Sequence, residues 1–453
     1  MSGESGGRLG TNWGGIAMKK EQSGRQGSGR GMVAALACLS LAACAVLVLS
    51  LAAFWGPAAT AAHRSKHHSK QVEKVKPLAP GEGFGLDLLG TQPPGNVVVS
   101  PASVAAALAM AGTGAGGSTA EEIATTLGLK GPARFDSVGA LLGKTLAAQA
   151  AAAGESSEAP TLAIANGLFV QQGFALKPPF VEGLQQHFGA SPEAVDFLGD
   201  PNAALGAINA WGSAHTNGII PQMLSEIPAE TRLVLANAVY LKAKWEEEFE
   251  QEEDFPGTFH RANGKGVQTE FMHQVDQFRY GAGPGYKAIE LPYRASSLSL
   301  LAVLPVGSGV PKLERRLRLS GGLAEVVLGL SPEAVKLSLP RFHLRTEASL
   351  VAPLEALGVK VPFTDLANFS GIAAEPLKIG EVEHIADIEV DEEGTEAAAT
   401  TGITVVPTSA VVGPIESVTF NANRPFLFFV RDDKSGAVLF AGRLTDPSSV
   451  PPH

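Results

Sequence analysis

Short apolar runs, separated by glycine, proline and charged residues, recur along most of the chain. Residues 232–241 are almost entirely apolar, which is typical of a strand that is covered on both faces. Similar runs predict strands at 161–171, 286–293, 298–305, 335–344 and 382–390, and two strands around a turn at 432–436 within 417–444. Helical patterns come mainly before these strands, and no long linker interrupts them. The order predicts one large α+β domain over residues 79–448, followed by a short tail at 449–453.

Capping and stop signals predict where helices begin and end. Ser100 followed by Pro101 predicts a helix start directly after a short buried strand, with the helix continuing over 104–110. The residues Ser-Thr-Ala-Glu at 118–121 predict a capping box that opens the next helix. A helix within 208–224 is expected to end near Gly218, and a short helix at 350–357 is expected to end at Gly358. Residues 146–158, rich in Ala, Gly, Ser and Glu, are interpreted as a loop.

The first 78 residues differ in composition from the rest. Residues 1–30 are basic and rich in Gly and Ser, which predicts a disordered tail. Residues 31–62 carry no charge, and their apolar part at 32–55 exceeds the roughly 20 residues that span a bilayer. This length favours an uncleaved membrane anchor, whereas the small residues at 59–61 suit a cleaved signal peptide. Both alternatives place the remainder outside the cytosol, behind a basic linker at 63–78.

Charge, cysteine usage and motif content exclude several classes of function. The net charge of −10 does not suggest a nucleic-acid partner, and no dense Lys/Arg patch in the domain supports a heparin-type activator. Both cysteines, Cys38 and Cys44, lie in the apolar N-terminal segment, so the domain has no disulfide, thiol nucleophile or cysteine metal site. Residues 79–448 contain neither G-x-S-x-G nor H-E-x-x-H. The sequence therefore predicts a non-enzyme without metal or cofactor.

The stretch from Glu392 to Ser409 has small side chains and little charge. Its last 13 residues, 397–409, carry no charge and nothing larger than Ile403. In an extended strand, alternate residues face opposite sides. One side would carry only small, uncharged side chains, namely Thr395, Ala397, Ala399 and Thr401. The other side would carry the only charged residue, Glu396, together with Ala398 and Thr400. This pattern fits a segment that is loop in one state and strand in another; a small-residue helix or linker is the alternative.

Several motifs occur in the order that the serpin family shows, over about residues 80–448. They are Asn96, Ser100, Pro101 and Ser103; Asn237 and Trp245 within 231–249; and the residues at 291–293, 337–342, 368–372, 424–426 and 439–443. The chain therefore resembles a serpin throughout its globular part. It departs from the usual pattern at Gly218-Ile219-Ile220 and at Ala441, neither of which touches the loop. The resemblance implies a large mixed central sheet, two further sheets, about eight or nine helices and an exposed reactive-centre loop.

The resemblance also implies roles for particular residues. The hinge of the loop would comprise Glu392, Glu393, Gly394, Thr395, Glu396, Ala397, Ala398, Ala399, Thr400 and Thr401. A buried polar network where the main sheet opens would comprise Asn96, Ser100, Ser103, Asn237 and His384. Arg341 is expected to hold Glu392 in an ion pair, with Trp245 below. Thr395 is expected at the exposed mouth of the sheet before cleavage, and Asn368 begins a glycosylation sequon.

The implied function is inhibition of a serine protease, which would become trapped as a covalent complex after cleaving the loop. Family spacing places the cleaved bond between Thr408 and Ser409, about 14 residues beyond Gly394, with Val405, Val406 and Pro407 as extended recognition residues. Because Thr408 is small and neutral, an elastase-like or subtilisin-like target is expected. The alternative is a non-inhibitory serpin that acts as a carrier or chaperone, but the small hinge residues favour inhibition. Apart from the protease, the chain is expected to be monomeric.

Overall fold

The computed structural model describes residues 82–131, 134–216, 218–318, 322–395 and 417–449. The helices within these ranges are α1 (Glu82–Thr91), α2 (Pro101–Thr113), α3 (Gly117–Thr126), α4 (Asp136–Glu155), α5 (Pro178–Phe188), α6 (Pro201–His215), α7 (Val310–Leu317), α8 (Gly322–Leu328) and α9 (Val351–Ala356). The strands are β1 (Val97–Val99), β2 (Thr161–Gln171), β3 (Glu193–Val195), β4 (Leu233–Lys244), β5 (Phe255–His260), β6 (Gly266–Gly283), β7 (Tyr286–Pro292), β8 (Leu298–Pro305), β9 (Ser331–Pro340), β10 (Phe342–Ser349), β11 (Glu381–Val390), β12 (Gly394–Thr395), β13 (Val418–Asn421), β14 (Phe426–Asp432) and β15 (Val438–Leu444).

A six-stranded sheet with the order β10-β11-β12-β4-β2-β3 lies at the centre of the fold. Its strand β4 is buried along residues 233–241 because both faces are covered. Leu233 and Leu235 pack into the core formed with α1, α2 and α3, whereas Val234 and Ala236 pack on the opposite face, beneath α6. The apolar run at 232–241 therefore forms the doubly covered strand that its composition predicts.

A second sheet has the order β1-β15-β14-β8-β7-β6-β9-β13, with β5 also paired to β6. Strand β6 is 18 residues long and pairs with β5 over 266–271, with β9 over 271–280 and with β7 over 279–283. The family resemblance implies two further sheets, but β6 joins their strands into one continuous sheet. Side chains of β4 and β11, including Val239 and Ile388, pack against Phe428 and Phe440 of this second sheet. This apolar layer fixes the two sheets face to face.

The predicted fold class is confirmed: helices and a large mixed sheet form an α+β domain. Several helices and strands begin or end at residues other than those predicted. The supposed loop at 146–158 is helical as far as Glu155, because α4 is rich in alanine, the strongest helix former. The single strand expected at 335–344 is two strands in different sheets, separated at Arg341. The region 417–444 contains three strands rather than two.

One predicted helix start and one predicted helix end were also wrong. Helix α3 begins at Gly117 without a side-chain cap, and the Thr119 hydroxyl instead accepts the backbone N–H of Asn368 at 2.8 Å. Helix α6 ends at His215 rather than near Gly218, because the Thr216 hydroxyl takes over the Gly212 carbonyl at 2.8 Å. The Thr119 hydroxyl bonds to a residue far along the chain, whereas the Thr216 hydroxyl bonds within the last turn of its own helix. Among the described helices, none is long and apolar enough to cross a membrane; residues 31–62 lie outside the described ranges.

Candidate functional site

The candidate site lies where β11 and β4 separate at one end of the six-stranded sheet. The two strands pair directly and in parallel between residues 381–386 and 234–239. Beyond that point β12 lies between them, antiparallel to both, with Val390 opposite Thr395 and Gly394 opposite Lys244. The sheet is therefore closed at its centre, and the first residues of the predicted hinge already occupy the opening at its end.

Asp391 holds the turn from β11 into β12. Its Oδ1 accepts hydrogen bonds from the backbone N–H groups of Glu393 and Gly394, each at 3.0 Å. Burial raises the pKa of Asp391 to about 6, although these two N–H groups act to lower it. A Cβ atom at Gly394 would collide with the backbone of Ala243 and Lys244. The close approach of β12 to β4 therefore requires glycine at this position.

Trp245 contacts the same turn from the end of β4. Its Nε1–H donates to the carbonyl oxygen of Asp391 at 2.8 Å, and its backbone N–H donates to that of Glu393 at 2.9 Å. The backbone N–H of Phe249 donates to the Glu392 carbonyl oxygen at 2.9 Å. The indole ring stacks on Tyr293, with centroids 4.7 Å apart. The carbonyl groups of three consecutive residues, at 391–393, thus accept hydrogen bonds from Trp245 and Phe249.

Thr395 is fully buried in β12. Its hydroxyl forms a hydrogen bond of 2.6 Å with the hydroxyl of Tyr293, and burial raises the Tyr293 pKa far above its usual value. The expectation that Thr395 lies at an exposed mouth before cleavage is therefore wrong. The short strand β12 has already brought its side chain into the interior, because both neighbouring strands accept it in their ladders.

Arg341, between β9 and β10, forms the ion pair with Glu392 that the sequence predicts. A second carboxylate shares this guanidinium, because Arg341 Nη2 donates to Asp254 Oδ2 at 3.2 Å. The side chains of Asp254 and Glu392 are only 7% and 5% exposed. Glu270 lies 3.6 Å from Nη1 and is much more exposed. Arg341 therefore faces two buried carboxylates and one solvated carboxylate.

Asp254 is a residue that sequence reasoning missed. Burial and the neighbouring Glu392 carboxylate raise its pKa to about 7, while Arg341 acts to lower it. It ends the acidic run 246–254, most of which is exposed, and a charge run is ordinarily a solvated face. The only local hint is that Asp254 directly precedes β5, at the point where the run meets the sheet.

His384 on β11 joins β4 and the start of α2. Its Nε2 accepts the backbone N–H of Ser100 at 3.0 Å, so its Nδ1 carries the proton and donates to Asn237 Oδ1 at 2.6 Å. The ring is fully buried, and this burial lowers its pKa to about 3. A neutral imidazole therefore bridges two strands and a helix N-terminus.

The amide of Asn237 extends these contacts to β2. Its Nδ2 donates to Ser103 Oγ, and to Asn166 Oδ1 at 2.6 Å. Ser103 Oγ donates to the same Asn166 oxygen at 3.2 Å. Sequence reasoning missed Asn166, although an asparagine in the middle of the apolar run 161–171 is a signal, since a buried amide requires partners.

Asn96 does not belong to this network, contrary to the prediction. Its Oδ1 accepts the backbone N–H groups of Thr445 and Asp446, at 2.7 and 2.9 Å. Its Nδ2 donates to the Asp446 carbonyl oxygen at 2.6 Å. The reason is topological: β1 pairs with β15, so Asn96 lies beside the C-terminal segment and away from the β11–β4 junction.

The remaining predicted residues divide into two groups. Asn368 is exposed, and its Oδ1 accepts the backbone N–H of Ser370 at 3.1 Å; its glycosylation stays a prediction. Outside the described residues lie the rest of the hinge, the recognition residues and the reactive bond: Glu396, Ala397, Ala398, Ala399, Thr400, Thr401, Val405, Val406, Pro407, Thr408 and Ser409. Within the described ranges, no cluster of three or more His, Cys, Asp or Glu residues could hold a metal ion.

Comparisons with known proteins agree with this geometry. A family model described as serpin (serine protease inhibitor) matches residues 84–447. Iripin-2 from Ixodes ricinus is 35% identical over 379 residues, covering 82% of this chain and 94% of that protein. The leukocyte elastase inhibitor of Bos taurus is 36% identical over 387 residues, covering 80% and 97%. The solved native state of tengpin, a thermophilic serpin, matches with a TM-score of 0.72 at 25% identity, covering 81% and 93%.

These similarities and the described fold place the chain in a class of proteins that the family model describes as serine protease inhibitors. The chain belongs to the serpin family. Membership fits a protein that forms complexes with serine proteases and does not itself catalyse a reaction.

Proposed function

We propose that this protein inhibits a serine protease by presenting residues 396–416 as a substrate loop, which inserts between β11 and β4 after cleavage. The observation that carries this proposal is the position of β12, which already lies between these strands with Thr395 buried. Extending β12 would replace one parallel ladder with two antiparallel ladders, which are slightly more stable per residue. The added hydrogen bonds and buried area would supply the free energy, without a cofactor.

Side-chain alternation supports insertion. Because Thr395 points into the interior, Ala397, Ala399 and Thr401 would follow on the same side of an extended strand. All of these side chains are small and uncharged, so they fit a buried layer. Glu396 would face the other side, where its charge has access to water. A carrier protein has no such requirement for small residues at alternate positions, so the pattern favours inhibition.

The polar network supports a sheet that opens and closes again. The hydrogen bond between His384 and Asn237 crosses directly from β11 to β4 and would break when a strand enters between them. Asn237 would keep the partners Ser103 and Asn166 on its other side. Opening would therefore leave few buried polar groups unpaired, and an unpaired buried group costs about 1–3 kcal/mol.

The proposed chemistry is that of an interrupted proteolysis. The serine oxygen of the protease bonds to the carbonyl carbon of Thr408, the peptide bond to Ser409 breaks, and the Ser409 amine leaves with a proton. The resulting acyl-enzyme would persist if loop insertion outruns hydrolysis by water. Thr408 suits a small pocket, and Val405, Val406 and Pro407 favour an extended backbone. The similarity to a leukocyte elastase inhibitor supports an elastase-like target.

Arginine substitutions at two adjacent alanines, Ala397 and Ala398, test insertion. Ala397→Arg would place a guanidinium in the buried layer, which costs several kcal/mol, and each 1.4 kcal/mol on the barrier slows insertion about tenfold. Ala398→Arg makes the same change on the opposite side. We expect an SDS-stable protease adduct from the wild type and from Ala398→Arg, but cleaved inhibitor and free active protease from Ala397→Arg. Mass analysis should place the cut between Thr408 and Ser409.

Equal behaviour of the two variants would contradict strand insertion and favour the carrier or chaperone function. A cut more than two residues away would contradict the assigned bond, and efficient inhibition of trypsin would contradict the assigned specificity. Thr395→Arg is not a clean test, because Thr395 is buried before cleavage. That substitution is expected to destabilise the uncleaved protein itself by several kcal/mol.

A further inference from the structure

Two buried carboxylates at the hinge contact the same cation. Asp254 and Glu392 both contact Arg341, and their side chains are 7% and 5% exposed. Arg341 reaches Asp254 through Oδ2 only. Asp254 Oδ1 is buried, and no donor among the described residues reaches it. Since Glu392 is the neighbouring acidic group and also an acceptor, a proton between the two carboxyl groups would satisfy both.

We propose that Asp254 is a positioning residue of the hinge: it shares one proton with Glu392, and the shared proton keeps the hinge docked until it is lost to solvent. With the proton present, one negative charge faces the Arg341 guanidinium from the buried side. Without it, both carboxylates that contact Arg341 are negatively charged, and like charges that share one site repel. The repulsion acts directly on Glu392, whose backbone carbonyl is held by Phe249.

The direction of the pH effect follows from the Asp254 carboxyl group. Its pKa rises to about 7, because burial and Glu392 outweigh Arg341, whereas an ordinary aspartate titrates near 4. The docked hinge thus binds a proton more tightly than the unfolded chain does. The stabilisation is fully present below about pH 4 and is lost as the pH rises through about 7. This proton therefore favours a docked hinge in acid and a released hinge in base.

Other charged or titratable groups lie on the elements next to this cluster. The cavity beside Arg341 is also lined by Glu270 on β6, His343 on β10, and Glu389, Asp391 and Glu393 on β11 and its turn. Glu252 and Glu253 directly precede Asp254 in the chain, and His273 lies on β6. Burial lowers the pKa of His273, while pairing with Asp387 raises that of His343. Asp391 is the main competitor, because its own pKa is about 6. It contacts backbone N–H groups of the turn, however, and not Arg341.

Release of the hinge would ease the entry of the loop, so this inference rests on the proposed function. Its primary measurement needs no protease. We would follow hydrogen exchange of the Glu393 and Gly394 amides in the uncleaved full chain from pH 5.5 to 8.5, as protection factors corrected for intrinsic exchange. In the wild type we expect protection to fall roughly tenfold as the pH passes 7, the factor that corresponds to one pKa unit.

Three variants separate the shared proton from simple packing. Asp254→Asn keeps an acceptor for Arg341 and supplies a permanent donor to Glu392, so protection should stay high at every pH. Asp254→Ala removes both the shared proton and the competing charge and leaves the Arg341–Glu392 ion pair, so protection should no longer depend on pH across this range. Asp391→Asn preserves the acceptor for both backbone N–H groups, so the wild-type pH dependence should persist. A carbon NMR titration of Asp254 in the wild-type chain should have its midpoint near 7, and it applies even if a variant does not fold.

A midpoint below 5, an unchanged pH dependence in Asp254→Asn, or its loss in Asp391→Asn would overturn the proposal. Adduct assays distinguish this failure from failure of the proposed function. If an SDS-stable adduct forms while protection is independent of pH, the protein is an inhibitor without a proton-dependent hinge. If protection follows the expected pH dependence and no adduct forms with any tested elastase-like or subtilisin-like protease, the hinge inference stands and the inhibitory function is contradicted.

Discussion

The absence of a side chain at Gly394 allows β12 and β4 to approach closely. Its Cα lies so close to β4 that a Cβ atom would overlap the backbone of Ala243 and Lys244. Backbone atoms in a paired strand cannot move aside cheaply, so this contact is less forgiving than one with a flexible side chain. The position of β12, and with it the burial of Thr395, depends on this glycine.

Gly394→Ala should therefore destabilise the uncleaved protein by about 1–3 kcal/mol, the usual cost of overpacking. Gly143→Ala is the matched control, because a Cβ atom at this helical position of α4 meets nothing within 4 Å. That change should stabilise the chain by about 0.5–1 kcal/mol, since alanine loses less conformational entropy in a helix. Urea unfolding of both variants measures the difference. Equal effects would contradict the close approach of β12.

The ion pair of Arg341 with Glu392, which the family resemblance implied, is present. Thr395 was expected to turn inward only after insertion, whereas its side chain is already buried. Asn96 was assigned to the wrong cluster, and Asp254 was missed, because both assignments depend on which strands lie side by side. A polar residue in a sequence indicates that it needs a partner, but the partner is decided by tertiary packing.

At the scale of elements, the β11–β4 junction is the central feature. It is a parallel pairing in the middle of the sheet, held by apolar side chains on both faces and by one polar bridge through His384. The imidazole is kept neutral by burial, which lowers its pKa to about 3. Since an unfolded histidine titrates near 6.5, the junction binds a proton less readily than the unfolded chain does.

The stability carried by this bridge should be present above pH 6.5 and should fall as the pH drops from 6.5 towards 3, by up to about 1.4 kcal/mol per pH unit. His384→Gln can keep both hydrogen bonds without titrating, so its stability should be flatter across this window. His343→Gln is a control in which stability should change with pH in the opposite direction. Pairing with Asp387 raises the His343 pKa, so the wild-type histidine stabilises the fold in acid. Urea unfolding at several pH values measures all three proteins. An unchanged slope in His384→Gln would contradict a buried neutral imidazole.

Element boundaries were harder to predict than element types. The run at 335–344 reads as one strand, but Pro340 and Arg341 end β9 and turn the chain into the other sheet. The alanine-rich segment at 146–155 has no apolar periodicity, yet α4 continues through it. Helical propensity favours alanine without the help of an amphipathic face, so a search for periodicity alone misses such a segment.

At the scale of the whole molecule, the serpin domain follows an N-terminal region that lies outside the described residues. Residues 31–62 are free of charge, and an uncleaved anchor would tether the inhibitor to a membrane with its reactive loop outside the cytosol. This location is a proposal from sequence length and composition. It would confine inhibition to proteases that reach the same membrane surface.

If residues 32–55 form an uncleaved anchor, the protein from native cells should pellet with membranes and resist carbonate extraction. A variant that lacks residues 31–62 should stay in the supernatant, which controls for adhesion of the domain itself. N-terminal sequencing of any material in the medium provides the opposing outcome. A mature N-terminus near Ala62 would mean that the segment is a cleaved signal peptide.

The sequence by itself determined the family, the α+β class and the doubly covered strand β4. These features depend on local spacing and on residue type, which the chain carries in order. Only the tertiary structure decided that Thr395 is buried before cleavage, that Asn166 completes the polar network and that Asp254 shares Arg341 with Glu392. Each of these joins residues that lie far apart along the chain. Their burial and partners exist only after the strands have paired, because desolvation and hydrogen bonding depend on neighbours in space.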